Sequence, residues 1–211
     1  MTGSLLAFVL VSLFVIVTPG PDTALTVRNT LMWGRFAGIG TALGASTGQM
    51  IWALATSAGL VALLLASEPV FNAFRLLGAA YLVWLGIQTL WGARSPGRRS
   101  VADRPEALRP APSMLVGFRQ GLLSDLSNPK LAAFFASILP QFAPQGQGML
   151  SSLVLLGLVF SIMTLAWLSL YAMVIAWAGE TFRRSRAKRV IEGFMGAALI
   201  AFGVRVAYEQ R

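Results

Sequence analysis

Two acids and a lysine sit where an apolar chain is least able to hold them. Asp22 closes the run Thr18-Pro19-Gly20-Pro21-Asp22, Lys130 closes Leu126-Ser127-Asn128-Pro129-Lys130, and Asp125 stands just upstream of the second run. Residues 3–17 read as membrane helix, and Thr23-Ala24-Leu25-Thr26-Val27 resumes the pattern after the first interruption. Proline has no amide hydrogen and crowds the carbonyl four residues back, so Pro19 and Pro21 strip helical partners from carbonyls around residues 15–17. In hydrocarbon an unpaired backbone group is costly enough that such a break survives only against protein or a wet cavity. An ionisable residue at the restart of a broken helix is how transporters build a binding site near the membrane midplane.

The two runs share a grammar and carry opposite charges. Asn128 suits a helix cap, Pro129 the first helical position, and Lys130 follows; Gly20-Pro21-Asp22 repeats the pattern with an acid. Asp22 has a modest role open to it, capping the half-helix 22–32, whose positive end favours a carboxylate. Its more consequential role is to bind a cationic group or to exchange a proton. Lys130 is more telling, because a cation beside a helix N-terminus opposes the local dipole. Unless it snorkels to an interface, it needs an acid such as Asp22 or Asp125, or an anionic ligand. Thr18, Ser127 and Asn128 can satisfy freed carbonyls or polar ligand groups, with Gly20 opening the chain at the break. A site with both charges and exposed half-helix amides suits a zwitterion: amides and Lys130 for a carboxylate, Asp22 or Asp125 for an ammonium group. Amino acids are the natural substrate class.

Composition sets the surroundings of these residues. Of 211 residues 56% are hydrophobic and 12% charged, and mean hydropathy is +0.69, whereas a soluble domain carries about a quarter charged residues. This is an integral membrane protein. With no cysteine and no histidine, disulfides, thiol redox chemistry and haem or zinc sites built on those ligands are excluded, no cofactor is expected, and proton coupling must use carboxylates. The net charge of +9 is not a nucleic-acid footprint, because the bases cluster in short loops without an aromatic-studded basic surface. No Lys or Arg precedes Arg28, so residues 1–20 lack the basic start of a cleaved leader and are expected to be retained.

Six spans follow. Span one covers about 4–32 with its break, and Arg28, Asn29 and Arg35 mark its exit from the membrane. Span two is read from Phe36–Ser67, where Gly40, Gly44 and Gly48 form a smooth face for close helix packing, within one subunit or between two, so a homodimer is one option. Gln49 beside that face is a candidate polar cavity residue. Glu68-Pro69 reads as a short turn. Span three is about Phe71–Trp91, with Trp84 and Trp91 toward one interface. Residues 93–113, polar and rich in Pro and Arg, form a linker between a first unit (1–92) and a second (114–211). Span four is about 115–142 and holds Arg119, Gln120, Asp125 and the second break; span five is about 149–177. After a basic loop at 183–189, span six is about 190–207, its Gly196-Ala197-Ala198 echoing Gly78-Ala79-Ala80 of span three. The expected fold is all-α: six transmembrane helices as two inverted three-helix repeats, with helices one and four broken. Three spans per half force the opposite orientation. Most basic loops fall on one side, which the positive-inside rule makes cytoplasmic, so both termini should lie outside it.

Leu126-Ser127-Asn128-Pro129-Lys130-Leu131-Ala132-Ala133-Phe134-Phe135, ending Leu139-Pro140-Gln141-Phe142, resembles the LysE/RhtB amino-acid exporters, as does Thr18-Pro19-Gly20-Pro21-Asp22 after a first apolar span. The resemblance covers essentially the whole chain, including its length, span count and basic central loop. It implies a bacterial inner-membrane efflux protein for amino acids such as lysine, arginine, threonine or homoserine, driven by an ion gradient, proton or sodium. The family often has Asn where Asp125 stands here, so this chain adds an acid. Two other classes compete: an integral-membrane enzyme using Asp22, Asp125 and Lys130, and a structural or assembly membrane protein without a transported substrate. The absence of histidine, cysteine and an acidic metal cluster argues against the enzyme, and intact motifs at both breaks argue against the structural role. No G-x-x-x-x-G-K motif occurs, which argues against direct drive by ATP.

Overall fold

The computed structural model describes residues 2–59, 67–94, 114–144, 148–182 and 186–208. The described residues are all-helical. In chain order they form α1 (Thr2–Val17), α2 (Pro21–Trp33), α3 (Arg35–Ser57), α4 (Glu68–Arg94), α5 (Met114–Leu126), α6 (Pro129–Ala133), α7 (Met149–Phe182) and α8 (Arg186–Tyr208). A π-helical turn over Phe134–Ile138 and a 3-10 turn over Leu139–Phe142 continue α6. The helices end where local chemistry stops them. Pro19 and Pro21 separate α1 from α2, which diverge by 53°. Gly34, at φ 91°, supplies the left-handed conformation that lets the chain double back into α3.

Among the described residues, Met149–Ala178 alone is by length and composition a single helix long and apolar enough to cross a membrane, and α1 with α2 meets that requirement as a bent pair. Helix α3 is 23 residues long but rich in Gly, Ala, Ser and Thr, because it faces other helices more than lipid. Its glycine face packs on α5. A Cβ at Gly40 would strike the Met114 carbonyl, one at Gly44 the Phe118 carbonyl, and α5 reciprocates with Gly117 and Gly121 against the carbonyls of Ala37 and Thr41. The smooth face is thus used within the chain. The paired positions rise together along both helices, so α3 and α5 run parallel. Helices α4 and α8 pack antiparallel by the same device, Gly86 against the Gly196 carbonyl and Gly203 against the Ala79 carbonyl. Close backbone approach gains dispersion contacts without a hydrophobic driving force, which lipid does not supply. Helix α2 sits centrally, in contact with α3, α5, α7 and α8, while α1 reaches mainly α7. The largest apolar cluster gathers Phe8, Trp52, Phe134, Phe135, Leu139 and Phe160 around the second break. Leu6, Phe14, Leu77, Trp91, Leu155 and Trp177 point outward, as a lipid-facing surface requires.

Several expectations change. Helix α3 takes up residues 36–57 of the uncharged stretch from which span two was read, and 60–66 lie outside the described residues. Glu68 and Pro69 open α4 instead of forming a turn, since proline is tolerated in a helix's first turn. Most of the linker 93–113 lies outside the described residues. Of the expected basic loop, Arg186, Lys188 and Arg189 already belong to α8. Arg28 and Asn29, expected at the membrane boundary, are 1% and 0% exposed, because their side chains find partners on neighbouring helices.

Gly44→Ala should lower stability in detergent by about 1–3 kcal/mol through overpacking against the Phe118 carbonyl. Gly193→Ala, whose added methyl meets nothing within 4 Å, should leave the thermal midpoint unchanged. Equal midpoints for the two variants would mean that α3 and α5 do not pack as described.

Candidate functional site between the two broken helices

Pro19 removes the amide that would have bonded the Val15 carbonyl four residues back. Lys130 supplies the replacement: its Nζ donates to the Val15 oxygen at 3.0 Å. Upstream, the Thr18 hydroxyl and amide both donate to the Phe14 carbonyl, at 2.7 and 3.1 Å. The lysine, introduced by the second break, thus caps the helix end left open by the first. This resolves what offsets its charge at a helix N-terminus. The negative end of α1 does so through a bare carbonyl, and the Asp22 carboxyl acts on the same charge across the cavity without a direct salt bridge.

The second break obeys the same accounting. Pro129 frees the Asp125 carbonyl, which accepts from the Asn128 amide at 3.0 Å and from Trp52 Nε1 of α3 at 3.4 Å. Asn128 caps α6 as its type and position require, its Oδ1 accepting from the Lys130 amide at 3.1 Å. Asp22 behaves differently. Gly20 occupies the cap position of α2 without a side-chain bond, and Asp22 Oδ1 accepts from the Ser124 hydroxyl of α5 at 2.8 Å. Its carboxyl reaches across to the other broken helix and leaves its own helix end uncapped.

Between the breaks lies a cavity, lined on its polar side by Thr18, Asp22, Gln49, Asn128, Lys130 and Thr164, with Gly20 and Thr23 at the α2 turn. It leaves about 40 Å³ for the centre of a water-sized sphere. At about 10–15 Å³ per water, that is room for roughly three, less than a threonine-sized molecule fills. Gln49 Oε1 and Thr164 Oγ1 are buried there without a hydrogen-bond partner. Of the eight candidate site residues, Thr18, Gly20, Asp22, Gln49, Asn128 and Lys130 line this space. Ser127 does not: its hydroxyl donates to the Leu123 carbonyl and its Cβ packs on Gly78. Asp125 also stands outside the lining. It is fully buried against Gly48, where an added Cβ would meet its Oδ2; the Gln49 side chain acts on its carboxyl, though neither oxygen sits in full hydrogen-bond geometry.

The wall the sequence reading did not include comes from α7: Phe160, Thr164 and Leu168, spaced by one helical turn. Nothing in a charge-free apolar stretch marks those positions. Among the described residues no group of three or more metal-ligating side chains occurs.

A polar cavity between two broken helices is the arrangement from which membrane translocators build a binding site. The chain is a member of the LysE type translocator family, whose profile matches residues 13–210. It is 28% identical over 204 residues to an uncharacterized membrane protein of Bacillus subtilis, YrhP, covering 96% of this chain and 97% of that one. It is 30% identical to an uncharacterized membrane protein of Escherichia coli, YahN, over 96% and 89% of the two chains. The threonine efflux protein of Escherichia coli is 27% identical over 202 residues, 95% of this chain and 96% of that one. No solved structure matches.

If Lys130 serves the carbonyl freed by Pro19, the two positions are coupled. Pro19→Ala restores an amide in reach of the Val15 oxygen, so Lys130→Met should destabilise the Pro19→Ala protein less than the wild type. A double-mutant cycle followed by denaturation in micelles should give a coupling of about 0.5–3 kcal/mol. Additive effects would contradict the pairing.

Proposed function

We infer that this protein is a secondary active exporter of amino acids, multi-pass in the bacterial inner membrane. The observation that carries the reading is the cavity itself: one carboxyl, Asp22, and one ammonium, Lys130, face the same small space at the meeting of two helix breaks. Membership of a translocator family and the name of the threonine efflux relative support the substrate class. By helix geometry the Asp22 and Thr23 amides have no partner within α2. With Lys130 they offer donors to a carboxylate, and Asp22 offers an acceptor to an ammonium group. The fit is to a zwitterion.

The reading includes six spans arranged as two inverted repeats. Helices α1 and α2 make one broken span, and α5 with α6 and the turns after it makes the equivalent one. Helix α3, about 34 Å at 1.5 Å per residue, is long enough for a bilayer core of about 30 Å. Contacts between α3 and α7 and between α4 and α8 pair the elements that an inverted repeat makes equivalent. The end of the bundle bearing Gly34 and Met114 is cytoplasmic, and both termini are external. A homodimer is compatible with this arrangement.

Transport is driven by an ion gradient, proton or sodium. With a proton, Asp22 or Asp125 accepts it from outside as substrate leaves there, and gives it up on the cytoplasmic side as the cavity turns inward. Because the cavity is narrower than its substrate, loading requires the bundle to part on one side. Opening one side at a time is what prevents a leak.

Proteoliposomes preloaded with a panel of labelled amino acids, with and without an imposed pH gradient, test this directly. Gradient-stimulated efflux of one class is the expected result. Asp22→Asn should abolish the stimulation while the protein stays folded, and Lys130→Met should weaken substrate binding. Export at wild-type rates by Asp22→Asn would remove Asp22 from coupling, and no efflux of any amino acid would overturn the exporter reading.

A further inference from the structure

Arg28 lies on α2 six residues beyond Asp22, about 9 Å along the helix. The helix ends at Trp33, about 7.5 Å further on, close enough for an arginine to stretch its head group out of the membrane. It does not. Arg28 is 1% exposed, and its guanidinium turns inward, with Trp33 covering it at 5.3 Å from the ring centroid. Nε donates to the Thr89 hydroxyl of α4. Nη1 donates to Asn29 Oδ1 at 2.9 Å and to Gln120 Oε1 of α5 at 3.2 Å. Asn29 Nδ2 in turn donates to the same Gln120 oxygen at 3.0 Å and to Thr41 Oγ1 of α3 at 2.8 Å.

Every one of these acceptors is neutral. Among the described residues no carboxylate reaches the guanidinium, although burying an unpaired charge is costly. Amide and hydroxyl dipoles are weaker partners than a carboxylate, which arginine's planar fork fits with two parallel bonds. The Gln120 oxygen takes two donors at once, Arg28 Nη1 and Asn29 Nδ2. It stands where a carboxylate would satisfy both donors with one oxygen each, and it comes from the opposite half of the chain.

We propose that Arg28, with Asn29, forms a second binding point for the α-carboxylate of the exported amino acid, between the Gly34 end of the bundle and the cavity, and that Gln120 holds this place when the route is closed. The proposal rests on the exporter reading and extends it by one station. When the bundle parts at this end, α5 carries Gln120 away from α2. The two exposed donors then receive the carboxylate about one and two-thirds turns before the substrate meets Asp22. On release into the cavity, Gln120 returns and the route closes behind it.

The test compares Arg28→Gln, Arg28→Lys and Gln120→Ala in oriented proteoliposomes, with L-threonine and L-lysine as probes and KM measured from each side of the membrane. From the Gly34 side, Arg28→Gln should raise KM about tenfold or more, the scale of a lost charge-assisted hydrogen bond. Arg28→Lys should raise it less, since an ammonium keeps the charge but lacks the fork. Gln120→Ala removes the competitor and should lower KM severalfold from that side. Opposite signs for positions 28 and 120 are what a merely structural network does not produce, because breaking it from either side would harm transport alike. A rise in KM for Gln120→Ala, or an unchanged KM for Arg28→Gln, would overturn the proposal and leave the exporter standing. Should Arg28→Gln fail to assemble, the signs for Arg28→Lys and Gln120→Ala decide. A wild-type protein that moves no amino acid would overturn the exporter reading and this proposal together.

Discussion

One contact organises the centre of this molecule: the ammonium of Lys130 on the carbonyl of Val15. Pro19 leaves that carbonyl without a helical donor, and in a bilayer no solvent is at hand to replace it. The donor comes from far along the chain, at the start of the other broken helix. The reverse debt is settled in the same way, since the Asp125 carbonyl freed by Pro129 accepts from Trp52 of α3. Neither break is satisfied by its own helix alone. Each makes the other half of the chain necessary, and this holds two interruptions face to face.

The site follows from that constraint. Bringing the breaks together places Asp22 against Ser124 on one side and Lys130 against the α1 end on the other. The cavity between them therefore holds both charges without a direct salt bridge to neutralise them. Each is hydrogen-bonded to a neutral group, and the two still act on each other across the cavity. The glycine seams make the geometry possible. Only where α3 lies backbone to backbone on α5 can Gln49 reach the cavity and Asp125 fit in the space at Gly48. Gln49 Oε1 and Thr164 Oγ1, buried without partners, then face the same cavity.

What was legible in the sequence was local. Proline, glycine and a capping asparagine carry their consequences within a few residues, so both breaks, the Asn128 cap and the close-packing face of Gly40, Gly44 and Gly48 could be read directly. Partner choice was not legible. The acid that sequence logic offered Lys130, Asp22, does act on it across the cavity, but its direct hydrogen-bond partner, a bare carbonyl 115 residues away, leaves no trace in composition. Phe160, Thr164 and Leu168 were hidden for a related reason, since the wall of a cavity looks like any other helix face when it carries no charge. Arg28 was legible only in part. Near a helix end, arginine marks a membrane boundary by default, and only the acceptors on α4 and α5 reveal that it turns inward.

The two breaks meet within one chain and enclose a polar cavity. The protein contains no cysteine, so a double variant Asp22→Cys/Ser124→Cys has a clean background for a short bifunctional thiol reagent in native membranes. An intramolecular cross-link is expected, seen as a mobility shift of the monomer that follows the 2.8 Å contact between the native side chains. Failure to cross-link, or cross-links only between copies of the chain, would contradict it.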